Sequence, residues 1–254
     1  MTDPIVTLDQ VALGYAGHST VIEQLTIAIA ASELLGLTGA SGSGKTTLLK
    51  ALAGLLPPLA GAICWSASAH RRPAYCPQHD VLLDHRNVWE NAVLLTESRL
   101  LDTGRVAERH HLIGQWLARA GLEDRHTSPP SDLSGGMRQR LQLVQVLAAE
   151  AEILLLDEPF AQQDRDRQQA LELMLFENNR ATGRPIILVS HDVDALAAIC
   201  DRVAFLGSAP GVPLNIHCTP PALLATGGVS RRTHPDYADH AEALWRARAQ
   251  AARP

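Results

Sequence analysis

Gly39-Ala40-Ser41-Gly42-Ser43-Gly44-Lys45-Thr46-Thr47 is the stretch on which the reading of this chain turns. The apolar run Leu34-Leu35-Gly36-Leu37-Thr38 precedes it, and a helical pattern from Leu48 to Leu52 follows. Glycines alternating with small residues let the backbone turn tightly and aim successive N–H groups inward, and a helix starting at the same point adds the positive end of its dipole. Strand, glycine-rich turn and helix in this order predict a phosphate-binding loop with a polyphosphate ligand. Lys45 is expected to reach the β- and γ-phosphates as a point charge, and the Thr46 hydroxyl to meet the Mg²⁺ that bridges them.

Two further motifs say what kind of nucleotide protein this is. Leu133-Ser134-Gly135-Gly136-Met137-Arg138-Gln139-Arg140 opens a helix whose apolar stripe runs Met137, Leu141, Val144, Ala148. Ser134 is a good N-cap and the glycines bare the backbone, so this helix start is a second anion site. The first loop already holds the phosphates of its own subunit, and a second clamp suits a nucleotide shared between subunits. Ile153-Leu154-Leu155-Leu156-Asp157-Glu158-Pro159 is a short, wholly apolar run ending in two carboxylates. Such a run reads as a central strand of a parallel sheet, with Asp157 and Glu158 at its carboxyl end, where ligands bind in sheets of this kind.

From Leu133 to Gln139, Met137 excepted, the chain matches the signature sequence of the ATP-binding cassette (ABC) transporter ATPases, and between about residues 5 and 206 it resembles that family in unbroken order. The resemblance implies an α/β fold: a P-loop NTPase core with a mainly parallel sheet, an antiparallel β subdomain and an inserted helical domain. It implies ATP and Mg²⁺ as cofactors. Residues Gly39, Ala40, Ser41, Gly42, Ser43, Gly44, Lys45, Thr46 and Thr47 then wrap the phosphates. Asp157 then holds the metal through its water shell while Thr46 ligates it, Glu158 activates the attacking water, and Gln78 senses the metal and that water. His191, after the strand-like Pro185 to Ser190, matches the histidine that contacts the γ-phosphate. Tyr15 stands where the family stacks a ring on adenine. Ser134, Gly135, Gly136 and Asp164 are contributed to the nucleotide by the opposite subunit of a homodimer.

Some positions depart from the family pattern. Ala161-Gln162-Gln163-Asp164 replaces Ser-Ala-Leu-Asp after the second carboxylate, in a loop that crosses between subunits in family dimers. Gln145 replaces an arginine frequent in the helix after the signature. Leu82-Leu83-Asp84-His85 stands for Leu-Leu-Pro-Trp, followed by the familiar Val88-Trp89-Glu90-Asn91.

Composition agrees with one large α/β domain. The chain has 254 residues, 46% of them hydrophobic, enough to bury a substantial core. No apolar stretch approaches a membrane span, and Met1 to Gln10 lacks the regions of a signal peptide, so the chain is expected to stay in the cytoplasm, and the family resemblance implies a peripheral place on the cytoplasmic face of the inner membrane. The formal net charge of −5, without a dense Lys/Arg block, removes the electrostatic footprint of nucleic-acid binding. Cys64, Cys76, Cys200 and Cys218 are scattered without metal-ligand spacing and read as reduced structural thiols. His217-Cys218 and His110-His111 lack matched ligands nearby, which argues against a further metal site.

Strand patterns are read at Ile5 to Leu8, Leu25 to Ile29, Ala62 to Trp65, Arg72 to Pro77, Ile153, Pro185 and Val203, and helices at Val88 to Leu95 and Val106 to Ala120. Residues 1–78 and 135–207 are expected to form the nucleotide-binding core, 79–134 the inserted helical domain and 208–254 a C-terminal extension. In that extension a Pro-rich connection (208–213 and 219–221) leads to an apolar stripe, Tyr237, Ala241, Leu244, Trp245, beside Arg246 and Arg248. Docking of this helix on the protein's own core is favoured over membrane contact. The stretches at 207–211 and 234–237 are similar to ATPase subunits of importers for nitrate, sulfonate, taurine or hydroxymethylpyrimidine-type solutes.

The function expected is therefore the ATP-hydrolysing subunit of an importer. It would act as a homodimer on separate transmembrane permease subunits, which are served by an extracytoplasmic solute-binding protein. Two alternatives stand beside it: a soluble ATPase of the same fold that remodels nucleic acid or ribosomes, and a regulatory module that binds nucleotide without hydrolysis. The long coiled-coil insertion or tandem cassette of the first is missing, and Glu158 with His191 argues against the second.

Overall fold

The computed structural model describes residues 3–15, 17, 19–66, 73–97, 106–207 and 214–251. Two sheets share the core. β1 (Pro4–Gly14), β2 (Thr20–Ala30) and β4 (Ala60–Trp65) form an antiparallel sheet in the order β2-β1-β4. β3 (Leu34–Gly39), β5 (Pro73–Cys76), β6 (Ile153–Asp157), β7 (Ile186–Val189), β8 (Arg202–Leu206) and β9 (Asn215–Cys218) form the larger one, ordered β5-β6-β7-β3-β8-β9 and parallel except for β9.

The inner strands of the large sheet are buried on both faces, which is why they read as unbroken apolar runs. Leu154, Leu156, Ile186, Leu188, Val203 and Phe205 point into one apolar cluster, shared with the helices of that side. Ile153, Leu155, Ile187, Val189, Ala204 and Leu206 point into the other, which the antiparallel sheet and α1 (Lys45–Leu52) close. At Gly36 a side chain would stand 3.0 Å from both Cys200 Sγ and Leu196 Cδ2. Glycine there lets α6 (Val193–Ile199) lie directly on β3.

Beside α6 and the C-terminal helix, further helices cover the first of those clusters. They are α2 (Val88–Glu97), α3 (Val106–Arg119), α4 (Gly135–Ala148) and α5 (Arg165–Thr182). α2 begins with a capping box, in which Asn87 Oδ1 accepts from the Glu90 amide at 2.9 Å and Glu90 Oε2 from the Asn87 amide at 2.8 Å. The fully buried Asn91 ties the altered stretch around Asp84-His85 together, donating to the carbonyls of Leu83, Arg86 and Asn87 and accepting from the Leu83 amide. His110 lies edge-on to Trp89, with ring centroids 5.4 Å apart.

The structure lengthens two strands beyond their sequence reading. β1 buries Val6 and Leu8, then Val11 and Leu13; β2 buries Ile22, then Leu25, Ile27 and Ile29. Gln10 and Gln24 take left-handed conformations, with φ 49° and 51°, and shift the alternation by one residue in each strand. A period-2 reading stops at such a bulge. β9 is an addition, since only a connection is read from its sequence. The Arg72 end of the strand reading and the 208–213 connection lie outside the described residues.

The C-terminal segment continues through α7 (Pro221–Leu224) and α8 (Gly228–Arg232) to α9 (Tyr237–Ala251). α9 docks on the core through His240, Ala241, Leu244 and Ala247. Trp245, placed in the apolar stripe by sequence spacing, is instead 46% exposed, because Ala247 and His240 supply that side of the helix. Cys76 and Cys200 are buried free thiols, whereas Cys64 and Cys218 are exposed on outer strands and contribute nothing to the core.

Candidate nucleotide site

β5, β6, β7 and β3 run parallel, so their carboxyl ends line one edge of the sheet. The register places the sequence-read residues along that edge. Cys76 is opposite Leu156, and Asp157 is opposite Val189, which is itself opposite Leu37. Gln78 therefore follows the end of β5, Asp157 and Glu158 end β6, His191 follows β7, and the loop 40–44 follows β3.

In the loop, Gly42 and Gly44 have φ values of 80° and 98°. Gly44 also has no room for a side chain, since a Cβ would lie 2.6 Å from Ile22 Cγ1. No side chain caps α1, so its first amides keep the donors that a helix start cannot satisfy internally. Ser43 Oγ is buried without a hydrogen-bond partner. Lys45 Nζ folds back onto the loop, donating to Gly39 O at 3.0 Å and Ala40 O at 2.8 Å. Burial lowers its pKa, partly offset by the Glu158 and Asp157 carboxylates.

Thr46 Oγ1 donates to Asp157 Oδ2 at 2.7 Å, and Tyr75 Oη stands 3.5 Å from the same oxygen. Burial, then the neighbouring Asp157, pushes the Tyr75 phenol well above its ordinary range. Mg²⁺ takes hard oxygen ligands, few of them from protein and the rest from water and phosphate. The Thr46 hydroxyl and the Asp157 carboxylate are two such oxygens side by side, so the residues present fit this ion.

Glu158 is 9% exposed and takes a left-handed backbone conformation, φ 54°. For a side chain of this size that is a strained state of the kind that clusters at functional sites. The conformation is held by the Glu158 amide, which donates to Val189 O at 3.1 Å, and by the Glu158 carbonyl, which accepts from Gln139 Nε2 at 2.8 Å. The His191 amide donates to Oε2 at 3.4 Å, while His191 Nε2 stands 3.3 Å from Oε1 without completing a hydrogen bond. Burial raises the carboxyl pKa to about 7, with the His191 amide opposing and Asp157 adding to the shift. The His191 pKa is lowered by burial and by Lys45 and Arg248, which keeps the imidazole neutral near pH 7.

The signature residues lie elsewhere. Ser134 caps α4, its side chain accepting from the Met137 amide at 3.3 Å. Side chains at Gly135 and Gly136 would collide with Gln162, 2.4 Å from its Oε1 and 2.9 Å from its carbonyl oxygen. Among the described residues, no hydrogen bond joins Ser134, Gly135 or Gly136 to the loop 39–47. The altered loop is fastened to the signature helix of the same chain: Gln163 Nε2 donates to Gly136 O and to Gln139 Oε1, each at 3.1 Å, and the Gln162 amide donates to Gln139 Oε1 at 3.2 Å. Asp164 caps α5, accepting from the Arg167 amide at 2.9 Å. Tyr15 is 39% exposed, with Lys50 Nζ 5.8 Å from its ring centroid. Gln78 is exposed, and the adjoining Pro77 carbonyl accepts from Gln142 of α4 at 3.2 Å.

Three residues at this edge carry no role in the sequence reading. Gln139 had a signal, its place within the signature; Tyr75 and Arg248 had none, being brought in by strand register and by α9.

The fold and this edge define a P-loop nucleotide-binding protein. The chain belongs to the ABC transporter family, whose sequence pattern matches residues 22–161. It is 39% identical over 206 residues to the aliphatic sulfonates import ATP-binding protein SsuB of Granulibacter bethesdensis, covering 80% of each chain. It is 34% identical over 213 residues to the taurine import ATP-binding protein TauB of Escherichia coli K12, covering 78% of this chain and 80% of the relative. In fold it is similar to a dimeric bacterial ABC transporter cassette, with a TM-score of 0.72 and 23% identity over 83% of this chain and 97% of that one. No helix among the described residues is long and apolar enough to cross a membrane.

Proposed function

We propose that this chain is the ATP-hydrolysing subunit of an importer, acting as a homodimer that drives solute uptake through a separate membrane permease. The observation that carries the reading is the pairing at the end of β6. Asp157 is bonded to the phosphate-loop threonine, and its neighbour Glu158 is buried, strained and raised to about 7, the value expected of a general base that works near neutral pH.

In this reading residues 39–47 cradle the phosphates and Lys45 exchanges its loop carbonyls for the β- and γ-phosphate oxygens. Thr46, Asp157 and Gln78 hold Mg²⁺, which when bound offsets the charge on those phosphates. Glu158 takes the proton of the attacking water, and His191 contacts the γ-phosphate. Tyr15 stacks on adenine. Ser134, Gly135, Gly136 and Asp164 of one subunit complete the site of the other. Residues 1–78 and 135–207 make the nucleotide-binding core, 79–134 the inserted helical domain and 208–254 an extension.

The names of the sulfonate and taurine import relatives support an organosulfonate-type solute, delivered by an extracytoplasmic binding protein. The subunit sits peripherally on the cytoplasmic face of the inner membrane, held there by its permease. Steady-state phosphate release from ATP tests the reading. The wild-type chain with Mg²⁺ turns over and Lys45→Ala does not. Equal turnover in the two, or none in the wild type, contradicts it.

A further inference from the structure

α9 brings a residue from the far end of the chain to the nucleotide edge. Tyr237 Oη donates to Asp194 O at 3.2 Å and Trp245 Nε1 to Asp194 Oδ1 at 3.3 Å, while Leu244 is fully buried beneath the helix. Arg248 lies one turn beyond Leu244, on the same side of the helix. Its Nη1 donates to the His191 carbonyl at 2.8 Å, and its guanidinium packs over the Trp245 ring, 5.3 Å from the centroid. With Gly39, Ala40, Ser41, His191 and Phe205 it bounds a cavity of about 160 Å³ beside the phosphate loop.

The place of this contact gives it consequence. α6 begins at Val193 and its first backbone bond returns to Asp192, so the His191 carbonyl lies outside the helix ladder. Arg248 supplies its donor. The His191 amide is held on its other side by Glu158 Oε2. The His191 side chain is itself 50% exposed, so its place depends on the backbone that carries it.

We propose that Arg248 is a positioning residue of the ATPase site, one that fixes the His191 loop from the wall of the phosphate-loop cavity. Docking of α9 and the geometry of His191 are thereby one event. The inference rests on the ATPase reading of the same site.

Arg248→Ala and Arg248→Lys, each also placed in a His191→Ala background, test it. A charge-assisted hydrogen bond of this kind supports a fall in kcat of about 10-fold for Arg248→Ala. The KM for ATP stays within about 3-fold, and Tm stays within about 2 °C, a shift expected of no more than about 1 kcal/mol in a chain of this size. Arg248→Lys recovers at least about half of the lost kcat, since its ammonium restores the charge and a donor. With His191→Ala, Arg248→Ala lowers kcat by no more than about 2-fold, because coupled residues are not additive. In nucleotide-free protein, amide exchange at His191 and Asp192 is faster in Arg248→Ala than in the wild type. Unchanged kcat in Arg248→Ala, a loss that tracks a fall in Tm, or an equal loss in the His191→Ala background overturns the proposal. Should Arg248→Ala not fold, Arg248→Gln enters the same comparison with the same outcomes. A wild type without ATPase activity contradicts the functional reading, whereas an active wild type indifferent to Arg248→Ala contradicts this inference alone.

Discussion

Thr46 Oγ1 donates to Asp157 Oδ2 at 2.7 Å, joining the first turn of α1 to the end of β6 across 111 residues of sequence. In the proposed function both oxygens serve one divalent cation, and their alignment in this structure would leave little ordering for the moment of binding. In Thr46→Ala, among the described residues, Tyr75 at 3.5 Å remains as the one hydrogen-bonding group beside that carboxylate oxygen. Titration with a fluorescent ATP analogue is expected to show affinity about 10-fold weaker in Mg²⁺ and nearly unchanged in a chelator, about the worth of one such ligand. Equal losses under both conditions would count against Thr46 as a metal ligand.

The raised pKa of Glu158 gives a pH profile with a definite sign. The proton-accepting form is the carboxylate, so kcat rises with pH through a midpoint of about 7. Stability moves the other way. The neutral carboxyl suits the buried site, so its contribution is full below pH 4.5 and is lost as pH rises through about 7. Glu158→Gln, which cannot ionise, is therefore more stable than the wild type above neutrality, by about 3 kcal/mol at most, and matches it in strong acid. Thermal melts of both proteins across this range check the sign; a wild type that gains on the variant as pH rises contradicts it.

Gln163 tests whether the altered loop is a fastening within the chain. Its Nε2 donates to Gly136 O and Gln139 Oε1, and Gln163→Leu removes both bonds. A cost of about 1–2 kcal/mol corresponds to a Tm lower by about 2–8 °C in a chain of this size. An unaltered melting curve would show that the two bonds contribute nothing net.

The parts of this molecule that were legible from sequence are those in which chemistry and backbone demand the same residues. The loop from Gly39 to Thr47 needs glycines for conformation and Lys45 for charge. β6 is buried on both faces and ends at the acids, so its apolar run and its carboxylates advertise each other. Legibility fails where order in space departs from order in sequence. The sheet order puts β3 between β7 and β8, and no local pattern carries that. Gln10 and Gln24 interrupt the alternation of β1 and β2, so the pattern marks only one side of the bulge in each strand. Arg248 meets His191 through the tertiary docking of α9, and Trp245 is 46% exposed while the small Ala247 is buried.

In the proposed homodimer each ATP is held by Lys45 of one chain and by Ser134 and Gly136 of the other, so that the hydrolytic site would exist only in a self-complementary pair. In that pair, surfaces rich in backbone donors would oppose each other without nucleotide, and ATP would supply the missing negative charge on both sides. Light scattering after size-exclusion chromatography of Glu158→Gln is the direct measurement. Expected are a monomer, or a loose pair, without nucleotide and with Mg-ADP, and a tight dimer with Mg-ATP. A Glu158→Gln protein that binds Mg-ATP and stays monomeric would contradict the shared site.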